Sequence, residues 1–116
     1  MTQQEFETFS KFGKSFQEKL VKLILFDRHF ANQMGEVLDT SYLELKYLQV
    51  FVDLLFQHKD DYPHPTYEAM VSVVRTQTED YSDSIVKQVI DFLARIKSNS
   101  IGDEDEDYVK EKSLDF

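Results

Sequence analysis

The side chains best suited to chemistry in this chain are its histidines, its carboxylates and its serines. His29, His58 and His64 lie on separate segments. None stands in an H-E-x-x-H or carboxylate-bracketed arrangement, the spacing that lets one helix face present two imidazoles to zinc. His58, followed by Lys59, Asp60 and Asp61, reads as the polar end of a helix. Acids recur in pairs: Glu36 with Asp39, Asp60 with Asp61, Glu79 with Asp80. Acid–base catalysis needs two carboxylates in a partly dry concavity that separates their pKa values, and pairing along the chain does not specify one. The run Asp103–Asp107 lacks the glycine turn and alternating oxygen ligands of a calcium loop, and reads as a solvated helix start or an acidic contact for a basic partner. Ser10, Ser15 and Ser41 have no locally placed histidine base. With no cysteine, thiol catalysis, disulfides and zinc–cysteine or iron–sulfur sites are excluded. Gly13, Gly35 and Gly102 are the only glycines, too few and too far apart for a phosphate-cradling loop or a dinucleotide fingerprint. The expectation is a non-enzymatic chain with no catalytic, cofactor-binding or metal-binding residues.

Charge narrows the choice of partner. The formal net charge of −9, from 22 acidic and 13 basic residues, repels a phosphate backbone, and aromatic stacking on bases would want more arginines than Arg28, Arg75 and Arg95. Autonomous nucleic-acid binding is not expected. No apolar run approaches the roughly 20 residues that span a bilayer, and Thr2, Gln3, Gln4 and Glu5 open no signal sequence. The sequence therefore predicts no membrane partner and a cytoplasmic location. A hydrophobic content of 41% within 116 residues supports one core.

The elements that must position any site are helices. Residues 1–11 form a loosely defined segment in which Phe6 and Phe9 either dock or trail. Residues 12–97 read as a helical domain. From Ser15 to Phe26 the stripe Phe16, Leu20, Leu23 and Ile24 has the helical period, with Gln17, Glu18, Lys19 and Lys22 on the wet face. Asp27 is placed to cap a short helix carrying Phe30, Ala31 and Met34, with Gly35 ending it in a left-handed conformation. Asp39, Thr40 or Ser41 is placed to cap a central helix from about Tyr42 to Lys59 on Leu45, Leu48, Val52 and Leu55, flanked by Phe51 and Phe56. Tyr62-Pro63-His64-Pro65 is an extended connection, and Thr66 caps a helix through Tyr67, Met70, Val71 and Val74. A fifth helix runs from about Asp80 to Lys97 on Tyr81, Ile85, Val89, Phe92 and Ile96, and Ser98-Asn99-Ser100 with Gly102 stops it. Residues 98–116 read as an acidic linker and the start of a further helix. The fold class is all-α: a bundle of about five helices, then the start of a sixth that would complete a helical hairpin. Its predicted core comprises Phe16, Leu20, Ile24, Phe30, Leu48, Phe51, Val52, Leu55, Met70, Val74, Ile85 and Val89.

The tyrosines Tyr42, Tyr47, Tyr62, Tyr67 and Tyr81 sit near helix ends or stripe edges, where an amphipathic ring suits a domain rim or an interface. Tyr47 and Tyr62, with Lys46 and Asp61 beside them, are the candidate contact for a protein partner. Phe92 and Ile96 are the candidate self-association contact.

A resemblance gives these expectations a specific form. Phe12 to Phe30, with Gly13 and Phe16 before Gln17-Glu18-Lys19-Leu20 and a close on Leu25-Phe26-Asp27-Arg28, resembles the first helix of the amino-terminal domain of ring-shaped replicative DNA helicases, the DnaB-like family, especially those of large tailed phages. Tyr42-Leu43 and the stripe through Phe51 resemble its aromatic-containing helix, and Tyr62-Pro63 with Pro65-Thr66 the start of the next. Tyr108-Val109-Lys110-Glu111-Lys112, with Leu114 and Phe116, is similar to the second arm of the hairpin that leaves that domain. The resemblance implies a collar domain that pairs through its helical hairpin in the intact hexamer and docks a primase or helicase loader, with the nucleotide-binding motor elsewhere. A helical adaptor or regulatory protein unrelated to helicases is the alternative.

Overall fold

Helical periodicity carries through into the three-dimensional structure, a computed structural model that describes residues 9–102 and 104–116. The chain forms an all-α bundle of α1 (Gly13–Phe26), α2 (Arg28–Val37), α3 (Lys46–Asp61), α4 (Tyr67–Thr76), α5 (Asp83–Lys97) and α6 (Glu106–Asp115). Short 3-10 turns, Phe9–Phe12 and Thr40–Tyr42, precede α1 and α3. The described residues contain no strand.

Polar side chains set most of the breaks. Asp27 turns extended after α1, and its carboxylate accepts the Phe30 amide at 3.0 Å to open α2. Thr66 accepts from the Ala69 amide and Ser82 from the Ile85 amide, so α5 starts at Asp83, later than the expected Asp80. At its far end Asn99 adopts a left-handed φ of 61°; its amide donates to the Ile96 carbonyl and the Ser100 amide donates to the Arg95 carbonyl. This is a Schellman closure, made by Asn99, with Gly102 beyond it. Gly35, expected to end α2, stays inside the helix, which continues to Val37 and stops where Leu38 turns extended against the core. A glycine permits the left-handed cap without requiring it. Gly13 is the glycine that uses its freedom, with φ of 91° at the junction of the first 3-10 turn and α1.

Helix α3 also begins later than the sequence predicts. Asp39 caps the Thr40–Tyr42 turn by accepting the Ser41 amide at 2.9 Å, and α3 starts only at Lys46. Between them Leu43 is fully buried. The Glu44 amide donates to Gln17 Oε1 at 2.8 Å, while Gln49 Nε2 donates to the Leu43 carbonyl at 2.6 Å. Side chains satisfy this backbone, so an anchored leucine does not have to join the helix.

The core is centred on α1, which has neighbours nearly all round: the first 3-10 turn, α2, α3 and α6. Gln17, Glu18 and Lys22 were expected on a wet face and are instead buried. Each has a tertiary partner: Glu44 for Gln17, Tyr47 and Arg95 for Glu18, and the Ile101 carbonyl for Lys22 at 2.7 Å. Those partners make burial of the polar groups tolerable. Phe16, Leu20, Ile24, Phe30, Leu48, Phe51, Val52, Leu55, Met70, Val74 and Val89 are buried, and Ile85 packs partly buried against them.

Both ends of the described chain fold onto this body. Helix α6 lies against α1 and α2, and Lys110 Nζ reaches Asp27 Oδ2 at 2.7 Å. The Phe116 ring meets Phe9 at 4.4 Å and Tyr42 at 5.1 Å. Phe9 is fully buried, whereas Phe6, Thr2, Gln3, Gln4, Glu5 and Asp103 lie outside the described residues.

Candidate functional site

The proposed contact residues do not form one patch. Lys46 and Asp61 are both exposed, but they are the first and last residues of α3, which puts them about 22 Å apart along the axis. Tyr62 is 62% exposed and its ring stacks on His58 at 4.9 Å. Tyr47 departs from the rim expectation: it is 5% exposed and points into the interior. Phe92 and Ile96 likewise face their own core, with the Phe92 ring edge-on to Phe51 at 5.7 Å. Their stripe is the inner face of α5, so they do not offer an outward contact.

Tyr47 is buried because it belongs to a polar tie between three helices. Its hydroxyl donates to Glu18 Oε2 at 2.6 Å, and Arg95 donates from a terminal guanidinium nitrogen to Glu18 Oε1 at 2.6 Å. Burial, followed by the neighbouring Glu18 carboxylate, pushes the Tyr47 phenol up to about 12. Both carboxylate oxygens are committed, and the phenol is held as a proton donor. The tie borders an open recess that also takes in Lys14, Gln88 and Asp91. It is built to join α1, α3 and α5.

His64 forms a second polar node. Its Nε2 lies 2.6 Å from the Leu25 carbonyl, which can only accept, so Nε2 carries the hydrogen. Nδ1 therefore accepts from Lys59 Nζ at 3.2 Å, and Lys59 also donates to Asn32 Oδ1 at 2.8 Å. Burial holds His64 below the ordinary imidazole range. With both ring nitrogens engaged in a neutral ring, His64 pins the Pro63–Pro65 connection to the end of α1. It has no lone pair left for a base.

Apolar surface lines a groove between α4 and α5, with a volume of about 240 Å³, and also a wider recess where Leu25 and Phe26 meet Pro63 and Pro65. Tyr67, Val71 and Val74 line one wall of the groove, and Ile90, Leu93 and Ala94 the other. The Tyr67 hydroxyl donates to the Leu93 carbonyl at 2.8 Å and fixes the two helices at one end. Ile90 stands at the lip, 45% exposed. Arg75 and Lys97 complete the lining, which contains no acid. The sequence carried a partial signal for this groove: Ile90, Ala94 and Lys97 form a second lane on α5, beside Val89, Phe92, Leu93 and Ile96, which the core consumes. Which of the two lanes would be covered depended on where α3 packs.

Among the described residues there is no group of three or more histidines, aspartates or glutamates placed to hold a metal ion, and none of the described helices is long and apolar enough to cross a membrane. No family model matches the chain, and no curated protein or solved structure matches it either.

Proposed function

We propose that this chain is a non-catalytic helical docking domain that holds another protein in the groove between α4 and α5. The observation that carries the reading is the groove itself. It is apolar and concave, with a large aliphatic side chain left at its lip by a fold that buries its other long apolar stripes. The polar clusters elsewhere support a structural role, because Glu18 and His64 spend their hydrogen-bonding capacity inside the fold. In the form implied by the family resemblance, the domain is the collar of a replicative helicase, and the groove receives a primase or a loader. The adaptor reading is favoured by one observation: α6 lies on α1 and α2, whereas the collar form would set it beside α5 as a pairing hairpin.

Site-specific photo-crosslinking in the cells that express the chain tests the docking reading. A photoreactive residue at position 90 should give a discrete heteromeric product, and one at Gln33, exposed on α2, should not. No product at 90, or the same products at both sites, would refute it.

A further inference from the structure

From the charges at the groove, we infer that its occupant is an amphipathic helix of a partner protein whose apolar face is flanked by acidic residues. This deepens the docking reading and rests on it. The apolar lane on α4 runs from Tyr67 to Val71, floored by the buried Val74, about 6 Å along the axis, or roughly one helical turn. Its facing wall offers Ile90 and Ala94 above the buried Leu93, at the four-residue spacing against which a third helix packs.

The cations decide the chemistry of the occupant's edges. Helices α4 and α5 are joined by the short segment 77–82 and run antiparallel, with Tyr67 bonded across to Leu93. Arg75 therefore stands at the end of the groove near that connection, and Lys97 at the opposite end. Neither makes an ion pair or side-chain hydrogen bond among the described residues, which they share with Lys14, Arg28, Lys46 and Lys112, and what sets them apart is their place at the two ends of an apolar groove. Both cations suit the carbonyl ends of their own helices, but α5 already carries Arg95 in that turn. In a protein of net charge −9, a binding groove lined by cations and no acid selects against basic partners at contact. The acidic remainder opposes an acidic partner at long range, yet that field is screened beyond about 8 Å at physiological ionic strength.

Two designed probe peptides of about 14 residues, roughly four turns, separate this inference from the reading beneath it. Both carry leucine at positions three and four apart. One has glutamates at both ends of the apolar face and the other lysines. Binding is read by fluorescence anisotropy, with sedimentation of the protein alone as a check. The glutamate peptide should bind about tenfold tighter, since two contacts change from repulsion to attraction. Raised salt should shrink the difference, Arg75→Glu with Lys97→Glu should reverse it, and Ile90→Asp should abolish binding of both. The two cations are exposed, so the double replacement tests the inference even if Ile90→Asp unfolds. Equal binding of both peptides would overturn the acidic-partner inference and leave the docking reading standing. Binding of neither peptide would overturn the inference as well, with crosslinking at position 90 deciding the broader reading. A concentration-dependent dimer lost on Ile90→Asp would also overturn it, by making a second copy the occupant.

Discussion

The hydroxyl of Tyr47 and the carboxylate of Glu18 meet at 2.6 Å inside the bundle, joining α3 to α1, and Arg95 closes the tie from α5. Tyr47→Phe keeps the ring packing but leaves Glu18 Oε2 without its donor, which should cost about 1–3 kcal/mol. Denaturant midpoints of the two proteins check this, and a neutral substitution would mean that the tie adds nothing.

The same pair predicts an alkaline limit. The folded Tyr47 phenol ionises near 12, above its ordinary value of 10.0, so unfolding releases a proton more readily than the native state does. Stability from this group is fully present below about pH 10 and is lost as pH rises toward 12. A tyrosinate absorbance titration should show a late step near pH 12, and Tyr47→Phe should remove it.

His64 sets an acid limit of opposite sense. Its folded pKa lies below 6.5, chiefly through burial, so the unfolded chain takes up the proton first. Its contribution is present above pH 6.5 and is lost as pH falls through the folded value. Protonation also turns Nδ1 into a donor facing Lys59 Nζ. The melting temperature should fall from pH 7.5 toward pH 5, and His64→Gln should flatten that slope; an unchanged slope would remove His64 as its source.

Asp27 and Lys110 connect the α1–α2 corner to α6 at 2.7 Å. Lys110→Met should cost about 0.2–1 kcal/mol, because both side chains are roughly one-third exposed. Asp27→Ala should cost about 0.5–2 kcal/mol more, since it also removes the cap on the Phe30 amide. The Lys110 hydrogen bond, with the Phe30 amide next, holds the Asp27 carboxyl below 3.8, so this stability is present above that pH and lost as pH falls through the lowered value. Equal losses from the two substitutions would contradict the double role assigned to Asp27.

Much of this fold was legible because long apolar stripes and hydroxyl or carboxylate caps are local signals. Phe51, fully buried on α3 and edge-on to Phe92, follows from its stripe, and Phe51→Ala should cost about 3–5 kcal/mol. The polar side of α1 was not legible. Gln17, Glu18 and Lys22 have helix-surface spacing, and only the partners brought by Glu44, Tyr47, Arg95 and Ile101 account for their burial. The same non-local arrangement moved Tyr47 from rim to interior and turned Phe92 and Ile96 inward, while leaving Ile90 at the surface.

On the docking reading, the α4–α5 groove is the face on which another protein is held. Its most direct measurement compares partner recovery, from cells expressing the chain, for Ile90→Asp and Val37→Asp, two aliphatic positions of similar exposure at 45% and 52% on different helices. With melting temperatures matched to the parent, Ile90→Asp should lose the heteromeric partner and Val37→Asp should retain it. Retention of the partner by folded Ile90→Asp would contradict the account.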